Sequence, residues 1–210
     1  MKIGIIIPTR GRTQFLKNAL RMIEGQTVKP NFIEVVDDLP KTADKDICWR
    51  YKLGYKRLKD KCDIIFPWED DDWYSREYIK IMLAGWQAYG KPVLFGISST
   101  TYYHLRSRKY TTISHPERSS MFCTMIQGGH DIDFGDENKI FVDVHLWKKY
   151  NGKLFDPGRI CLGIKHSIGL TGGIGHKYNW SGYNNYDHND VFLKSIIDEK
   201  SYEFYNGLYK

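Results

Sequence analysis

The sequence predicts an α/β fold: a mixed sheet flanked by helices, with a small antiparallel β portion in the C-terminal half. Over residues 1–98, short apolar runs alternate with helical segments in the order β-α-β-α-β-α-β, the pattern of an open sheet. After residue 98, two short runs flank Arg106-Ser107-Arg108, which is typical of an antiparallel hairpin. A chain of 210 residues fits a single domain, which we divide into halves at 1–98 and 99–210.

The elements of the first half follow from apolar runs and helical spacing. Near-continuous apolar runs such as residues 2–7 indicate strands buried on both faces of a sheet. Strands are predicted at residues 2–7, 32–36, 64–66 and 92–98. Helices are predicted from Thr13, as N-cap, to Gly25, and over residues 47–59 and 74–88, because their apolar residues recur near every third or fourth position.

The second half has weaker patterns. Strands are expected at residues 100–105, 109–113, 120–126 and 140–144, and helices at 145–150 and 191–198. Residues 167–189 hold five glycines and several aromatic side chains, and a loop of this length in a compact domain is usually functional or disordered.

Composition narrows the class of protein. The net charge of +6 suits an anionic ligand such as a nucleotide or nucleic acid. Four scattered cysteines without a C-x-x-C pair argue against a zinc site and make a reducing compartment the default. The first apolar run is too short for a signal peptide, and no stretch is long enough to span a membrane. We therefore expect a cytoplasmic protein.

Four consecutive acids, Glu69-Asp70-Asp71-Asp72, follow the predicted strand at 64–66. Adjacent carboxylates repel one another, and a hard cation such as Mn²⁺ or Mg²⁺ would remove that repulsion. At the carboxyl end of a buried strand, these acids would face the crevice where open α/β sheets bind ligands. The alternative is a solvated turn in which Asp71 or Asp72 caps the next helix.

Three motifs in this order resemble one family. Pro8-Thr9-Arg10 follows the first strand, Val35-Val36-Asp37-Asp38 ends the second, and the acidic run lies between Trp68 and Trp73. Over residues 1–98 this resembles the nucleotide-sugar glycosyltransferases of the GT-A fold, most closely the family-2-like group. Glu69 departs from the usual motif, which begins with Asp. A narrower resemblance is to the amino-terminal domain of a glycosyltransferase encoded by chlorella viruses, for which the location would be the host cytoplasm.

The resemblance implies a UDP-sugar donor, a Mn²⁺ or Mg²⁺ cofactor and a set of site residues. Asp71 and Asp72 would hold the metal, with His166 as a further ligand. The donor would contact Pro8, Thr9, Arg10, Arg12, Asp37, Asp38, Asp70 and Trp180.

Transfer with inversion needs a general base, and the resemblance places an acid for this role late in the domain. The candidates are Asp143, Asp156, Asp187 and Asp190. Asp187 and Asp190 are preferred, because they precede a predicted helix as the family's acid pair does. A helix N-cap is the alternative role for either, and Asp156 suits a turn.

The sequence leaves the acceptor open. A glycan or glycoprotein hydroxyl is the first expectation. DNA bases as acceptors, a nucleotidyltransferase, and a non-catalytic sugar- or nucleotide-binding module are the alternatives.

Overall fold

The computed structural model describes residues 1–39, 46–137, 141–168 and 181–209. The strands in these ranges are β1 (Ile3–Pro8), β2 (Phe32–Val36), β3 (Ile64–Pro67), β4 (Trp73–Tyr74), β5 (Leu94–Ile97), β6 (Ser99–His104), β7 (Lys109–Ser114), β8 (Thr124–Gln127), β9 (Lys153–Phe155), β10 (Cys161–Lys165) and β11 (Asn185–Tyr186). The helices are α1 (Thr13–Glu24), α2 (Ile47–Leu58), α3 (Tyr78–Ala88), α4 (Val142–Lys149), α5 (Val191–Ile196) and α6 (Glu199–Gly207).

The first sheet combines strands of both halves: β1, β2, β3 and β5 come from residues 1–98, and β8 and β9 from residues 99–210. Its order is β2-β1-β3-β8-β5-β9. Strand β1 is parallel to both β2 and β3, whereas β8 is antiparallel to β3 and β5. All six residues of β1 are buried, as its apolar run predicts. Helices flank this mixed sheet, so the predicted fold class is confirmed.

The second sheet has the order β11-β7-β6-β10-β4. Its centre is the predicted hairpin, in which β6 and β7 pair antiparallel from Ser99 opposite Ser114 to His104 opposite Lys109. Strand β10 runs parallel to β6 and antiparallel to β4. Because β4 follows the acidic run directly, this pairing brings the acids next to the second sheet.

The core lies on both faces of the first sheet. Side chains alternate along β1, so Ile5 packs with α1 and α3 on one face and Ile6 with α2 on the other. Helix α2 approaches β1 closely at Gly54, where a Cβ atom would lie 2.5 Å from Ile6 Cγ2. The four cysteines, Cys48, Cys62, Cys123 and Cys161, are buried free thiols.

Two predicted elements are wrong. Residues 73–74 form β4 and the helix begins only at Tyr78, because Trp73 and Tyr74 pair with β10. The strand expected at residues 140–144 is wrong over its described part: α4 begins at Val142, and its Val142 and Leu146 are one helical turn apart and pack into the core. Among the described residues, no helix has both the length and the apolar character needed to cross a membrane.

Candidate active site

The loops that follow β1 and β3 lie at the same edge of the first sheet. Because β1 and β3 are parallel neighbours, the segments after Pro8 and Pro67 leave side by side. Thr9 Oγ1 donates a hydrogen bond to Asp70 Oδ2 (2.7 Å). The Arg12 guanidinium bonds Asp70 and also donates from Nη1 to Asp71 Oδ2 (2.8 Å). The loop after β1 thus supplies the counter-charge of the acidic run.

Three carboxylates of the acidic run converge. One oxygen from each of Glu69, Asp71 and Asp72 lies within 4.8 Å of the other two. The backbone amide of Asp72 contacts the Glu69 carbonyl (3.4 Å), so the segment turns back on itself. Tyr51 Oη donates to Glu69 Oε1 (3.2 Å). A set of convergent carboxylate oxygens is the donor set that Mn²⁺ and Mg²⁺ favour.

Asp72 has one satisfied and one unsatisfied oxygen. The backbone N–H of Ile164 in β10 donates to Asp72 Oδ1 (2.7 Å). Its Oδ2 is buried and finds no hydrogen-bond partner within the described part of the chain. An unsatisfied buried carboxylate oxygen is costly, and a cation would satisfy it. The geometry of this cluster therefore fits a divalent ion.

His166 holds Asp71 in place. The backbone N–H of Ile168 donates to His166 Nδ1 (3.1 Å), so the imidazole hydrogen lies on Nε2. Nε2 then donates to Asp71 Oδ2 (2.9 Å). The ring is buried and packs on Phe15, with 4.7 Å between centroids. In this tautomer His166 orients Asp71, and its Nε2, which carries the hydrogen, has no lone pair for a cation.

Burial raises the pKa of three of the four acids in this run. Burial, reinforced by the Asp71 charge, raises the pKa of Glu69, and it raises the pKa of Asp70 to about 7. Burial also raises the pKa of Asp72 well above its usual value, although Lys165 opposes this. The pKa of Asp71 is lowered instead: burial opposes ionisation there, but Arg12 and His166 outweigh it.

The residues predicted to bind the nucleotide lie around the ends of β1 and β2. Gly11 N–H donates to Asp37 Oδ1 (2.9 Å), which fixes the turn where Gly11 has a φ of +61°. Asp38 forms a two-pronged ion pair with Arg57, at 3.0 Å for each bond. Arg10 Nη1 lies 3.7 Å from Asp46 Oδ2. Trp180 lies outside the described residues.

The two late acids lie beside α5. Asp187 Oδ1 accepts from Phe192 N–H (2.8 Å), and Oδ2 accepts from Leu193 N–H and Tyr103 Oη (3.0 Å each). Asp187 therefore satisfies the first amides of α5, as an N-terminal cap does. Asp190 Oδ1 lies 3.2 Å from Arg108 Nε, and its Oδ2 accepts from Tyr202 Oη (2.8 Å).

The structure thus brings together Thr9, Arg12, Asp70, Asp71, Asp72 and His166. The sequence reading did not assign Glu69, Tyr51 or Lys165 to the site. Glu69 carries a signal, since it belongs to the same acidic run. Lys165 is the last residue of β10 and directly precedes His166. Tyr51 lies in a basic helix with no local signal for a site.

No protein-family model and no curated protein matches the sequence. Solved structures do match. Residues 1–349 of S. aureus TarS in complex with UDP-GlcNAc superpose with a TM-score of 0.56 at 13% identity, over 79% of this chain and 59% of that chain. The same TarS fragment in complex with UDP superposes with a TM-score of 0.55 at 14% identity, over 78% of this chain and 60% of that chain. The fold is GT-A.

At this identity, the likeness to TarS shows the GT-A fold alone. The chain spans about three fifths of the TarS fragment's length, at 59% and 60% in the two complexes. The longer TarS structure is similar with a TM-score of 0.56 at 13% identity, over 78% of this chain and 37% of that chain. The GT-A fold that the three motifs imply is therefore confirmed.

Proposed function

We propose that this chain is a metal-dependent glycosyltransferase. It transfers a hexosyl or deoxyhexosyl group from a nucleotide-sugar donor, a UDP-sugar, to a hydroxyl of a glycan or glycoprotein. The observation that carries the proposal is the convergence of Glu69, Asp71 and Asp72 within 4.8 Å at the end of β3. The TarS structures that share the fold hold UDP-GlcNAc and UDP, which supports a UDP-linked donor.

Glu69, Asp71 and Asp72 are the residues that would hold the metal, and His166 orients Asp71 beside them. Bound there, Mn²⁺ or Mg²⁺ would neutralise charge on the diphosphate as its bond to the sugar breaks. The unsatisfied Asp72 Oδ2 favours a cation at this place, because the cation would replace the missing partner of a buried oxygen.

The chain's own cation at this edge is Arg12. Its guanidinium bonds Asp70 and Asp71, and Thr9 holds the other Asp70 oxygen, so the arginine is fixed before any ligand arrives. A preorganised positive charge stabilises developing negative charge without a reorganisation cost. Pro8, Arg10, Asp37 and Asp38 surround the same strand ends and would contact the base and ribose.

Asp190 is the better of the two candidate bases. Three donors already occupy the two oxygens of Asp187, which leaves it little freedom to accept a proton. Asp190 makes one hydrogen bond through Oδ2 and one ion pair through Oδ1, and it borders a cavity. A general base must reach the acceptor hydroxyl, so a carboxylate on a cavity wall suits the role.

The test is a thermal-shift titration with UDP, GDP and dTDP, each with and without Mn²⁺. A ligand that binds the native state raises the melting temperature. We expect the largest rise for UDP with Mn²⁺, and loss of its metal-dependent part in Asp71→Asn. The matched control is Glu117→Gln, which alters an exposed carboxylate outside the acidic run. A UDP shift that is the same with and without Mn²⁺ would contradict the metal role.

DNA bases are a second candidate acceptor, and the net charge of +6 is the observation that favours them. Affinity for duplex DNA that falls steeply with salt would support this candidate. The cytoplasmic location and the narrower likeness to a chlorella-virus domain stay predictions.

A further inference from the structure

A cavity lies between the β6–β7 hairpin and the two C-terminal helices. Its volume is 470 Å³, within the range of small-molecule sites. Aromatic and charged side chains dominate its wall, among them Tyr103, Arg106, Arg108, Asp190, Tyr202 and Tyr205. The nucleotide candidates around β1 and β2 contribute nothing to this wall, so the cavity is separate from their site.

The cavity adjoins the acidic cluster. Tyr209 of its wall donates a hydrogen bond to the backbone carbonyl of His166, whose imidazole bonds Asp71. Tyr205 is also part of the wall: burial raises its pKa, and the charges of Asp72 and Asp71 raise it further. The Tyr205 hydroxyl is buried without a hydrogen-bond partner among the described residues. A ligand in the cavity would therefore lie next to the proposed donor site.

The chemistry of the wall suits a sugar ring. Tyrosine presents a flat apolar face and a polar hydroxyl, so several tyrosines can pack on a ring and bond its edge. Asp190 accepts hydrogen bonds, whereas Arg108 donates them, and the two form an ion pair at 3.2 Å. Sugar hydroxyls need both donors and acceptors.

We propose that this cavity binds the carbohydrate acceptor, with a hydroxyl of its ring beside Asp190. The inference rests on the proposed glycosyltransferase function and assigns the acceptor class: a glycan rather than a protein side chain or a DNA base. A transferred group requires the reacting atoms about 3–3.5 Å apart, so the acceptor must occupy a space next to the donor.

Saturation-transfer NMR on the full chain tests the cavity without depending on turnover. The probes are the methyl α- and β-glycosides of glucose, galactose, mannose and rhamnose. Asn206→Trp fills the cavity from α6, where Asn206 is an exposed part of the wall. Glu203→Trp is the matched control, since Glu203 is exposed on the same helix but outside the wall.

We expect at least one glycoside to receive saturation from the wild type and from Glu203→Trp, and to bind about tenfold more weakly to Asn206→Trp. No saturation of any glycoside, or equal binding by both variants, would overturn the proposal. The UDP and Mn²⁺ thermal shift is measured on the same samples. If the wild type shows the UDP and Mn²⁺ thermal shift but the glycoside experiment fails, only this inference is rejected. If the wild type shows no UDP shift, the proposed function is rejected.

Discussion

Ile164 and Asp72 join the two sheets at the acidic cluster. The backbone N–H of Ile164 donates to Asp72 Oδ1 at 2.7 Å, and this bond links β10 of the second sheet to the loop after β3 of the first. Two residues further along, His166 donates to Asp71. One segment of the C-terminal half therefore fixes two acids of the N-terminal half, so the proposed cation site depends on both halves.

Asp72→Asn distinguishes the contribution of Asp72 to the stability of the fold from its contribution to cation binding. Asparagine keeps an oxygen for the Ile164 amide but removes a carboxylate from a crowded, buried cluster. We expect the metal-free variant to melt no lower than the wild type, and Mn²⁺ to bind about tenfold or more weakly. Calorimetric unfolding with and without Mn²⁺ measures both. A large loss of metal-free stability would show that the carboxylate serves the fold.

Arg12→Ala tests whether a cation can substitute for the guanidinium. Removing Arg12 leaves Asp70 and Asp71 without their shared counter-charge, and breaking such a partly buried pair costs about 1–3 kcal/mol after discounting for solvent. Urea unfolding should show this decrease in the free energy of unfolding without metal, and a smaller decrease with Mn²⁺. Arg76→Ala, at an arginine with 77% of its side chain exposed, should change stability by less than about 0.5 kcal/mol. If Arg12→Ala lost the same stability with and without Mn²⁺, the cation would not be able to take the place of the guanidinium.

Asp70 gives the metal-free protein a pH dependence. Its pKa is 3.8 as a free side chain and about 7 in the fold, where burial and the Asp71 charge keep it protonated. A raised folded-state pKa contributes stability that is complete below about pH 4 and is lost as the pH rises to about 7. The slope is about 1.4 kcal/mol per pH unit for one proton. Asp70→Asn should flatten it in urea unfolding curves at a series of pH values.

The affinity for Mn²⁺ should change with pH in the opposite direction to the metal-free stability. Ligands must be deprotonated to bind a cation, so Mn²⁺ affinity should rise with pH over the same window. Calorimetric titrations in buffers of different ionisation enthalpy would count the protons released. Affinity that is independent of pH between about 4 and 7 would show that the cluster is already ionised without metal.

Much of the fold could be predicted because its elements are locally encoded. The near-continuous apolar run at β1 and the helical spacing of apolar residues in α1 each specify one element locally. Strand β4 could not be predicted, since Trp73 and Tyr74 are extended only because they pair with Cys161 and Leu162 far along the chain. The strand prediction for the α4 segment is wrong for a related reason: Val142 and Leu146 indicate a helix only when their shared contact with the core is known.

Some residues of the candidate site could also be predicted from the sequence, whereas others could not. The acidic run and Arg12 lie in contiguous motifs after parallel strands, so their meeting follows from topology. The bond from Ile164 to Asp72 spans 92 residues, and a backbone amide leaves no trace in the sequence. Tyr51, in α2, could be assigned to Glu69 only once that helix was placed against the sheet.

Asp187 should prove important for stability. Its carboxylate satisfies two amides of α5 and the Tyr103 hydroxyl, so Asp187→Ala removes a cap and leaves a buried donor unpaired. We expect a loss of about 2 kcal/mol in urea unfolding, and a smaller loss for Asp187→Asn. Asp60→Ala, at an exposed acid, is the control. Stability equal to that of the control would argue that Asp187 is free for another role.

Asp190→Asn tests the proposed base with little change to the backbone. Asp190 has a φ of +58°, and asparagine is among the few residues that adopt this left-handed conformation readily. The amide keeps an oxygen for Tyr202 but cannot accept a proton from the acceptor hydroxyl.

We therefore expect turnover to fall by about 10²- to 10⁴-fold, while the UDP and Mn²⁺ thermal shift stays unchanged. Turnover is measured with the donor and the glycoside that the binding experiments identify. Asp156→Asn, at the turn acid that accepts from Gly158 N–H, is the matched control and should retain activity within about threefold. Wild-type turnover in Asp190→Asn would remove Asp190 from the reaction. Loss of the UDP shift as well would instead assign it a role in shaping the donor site, because a base acting only on the acceptor has no contact with the nucleotide.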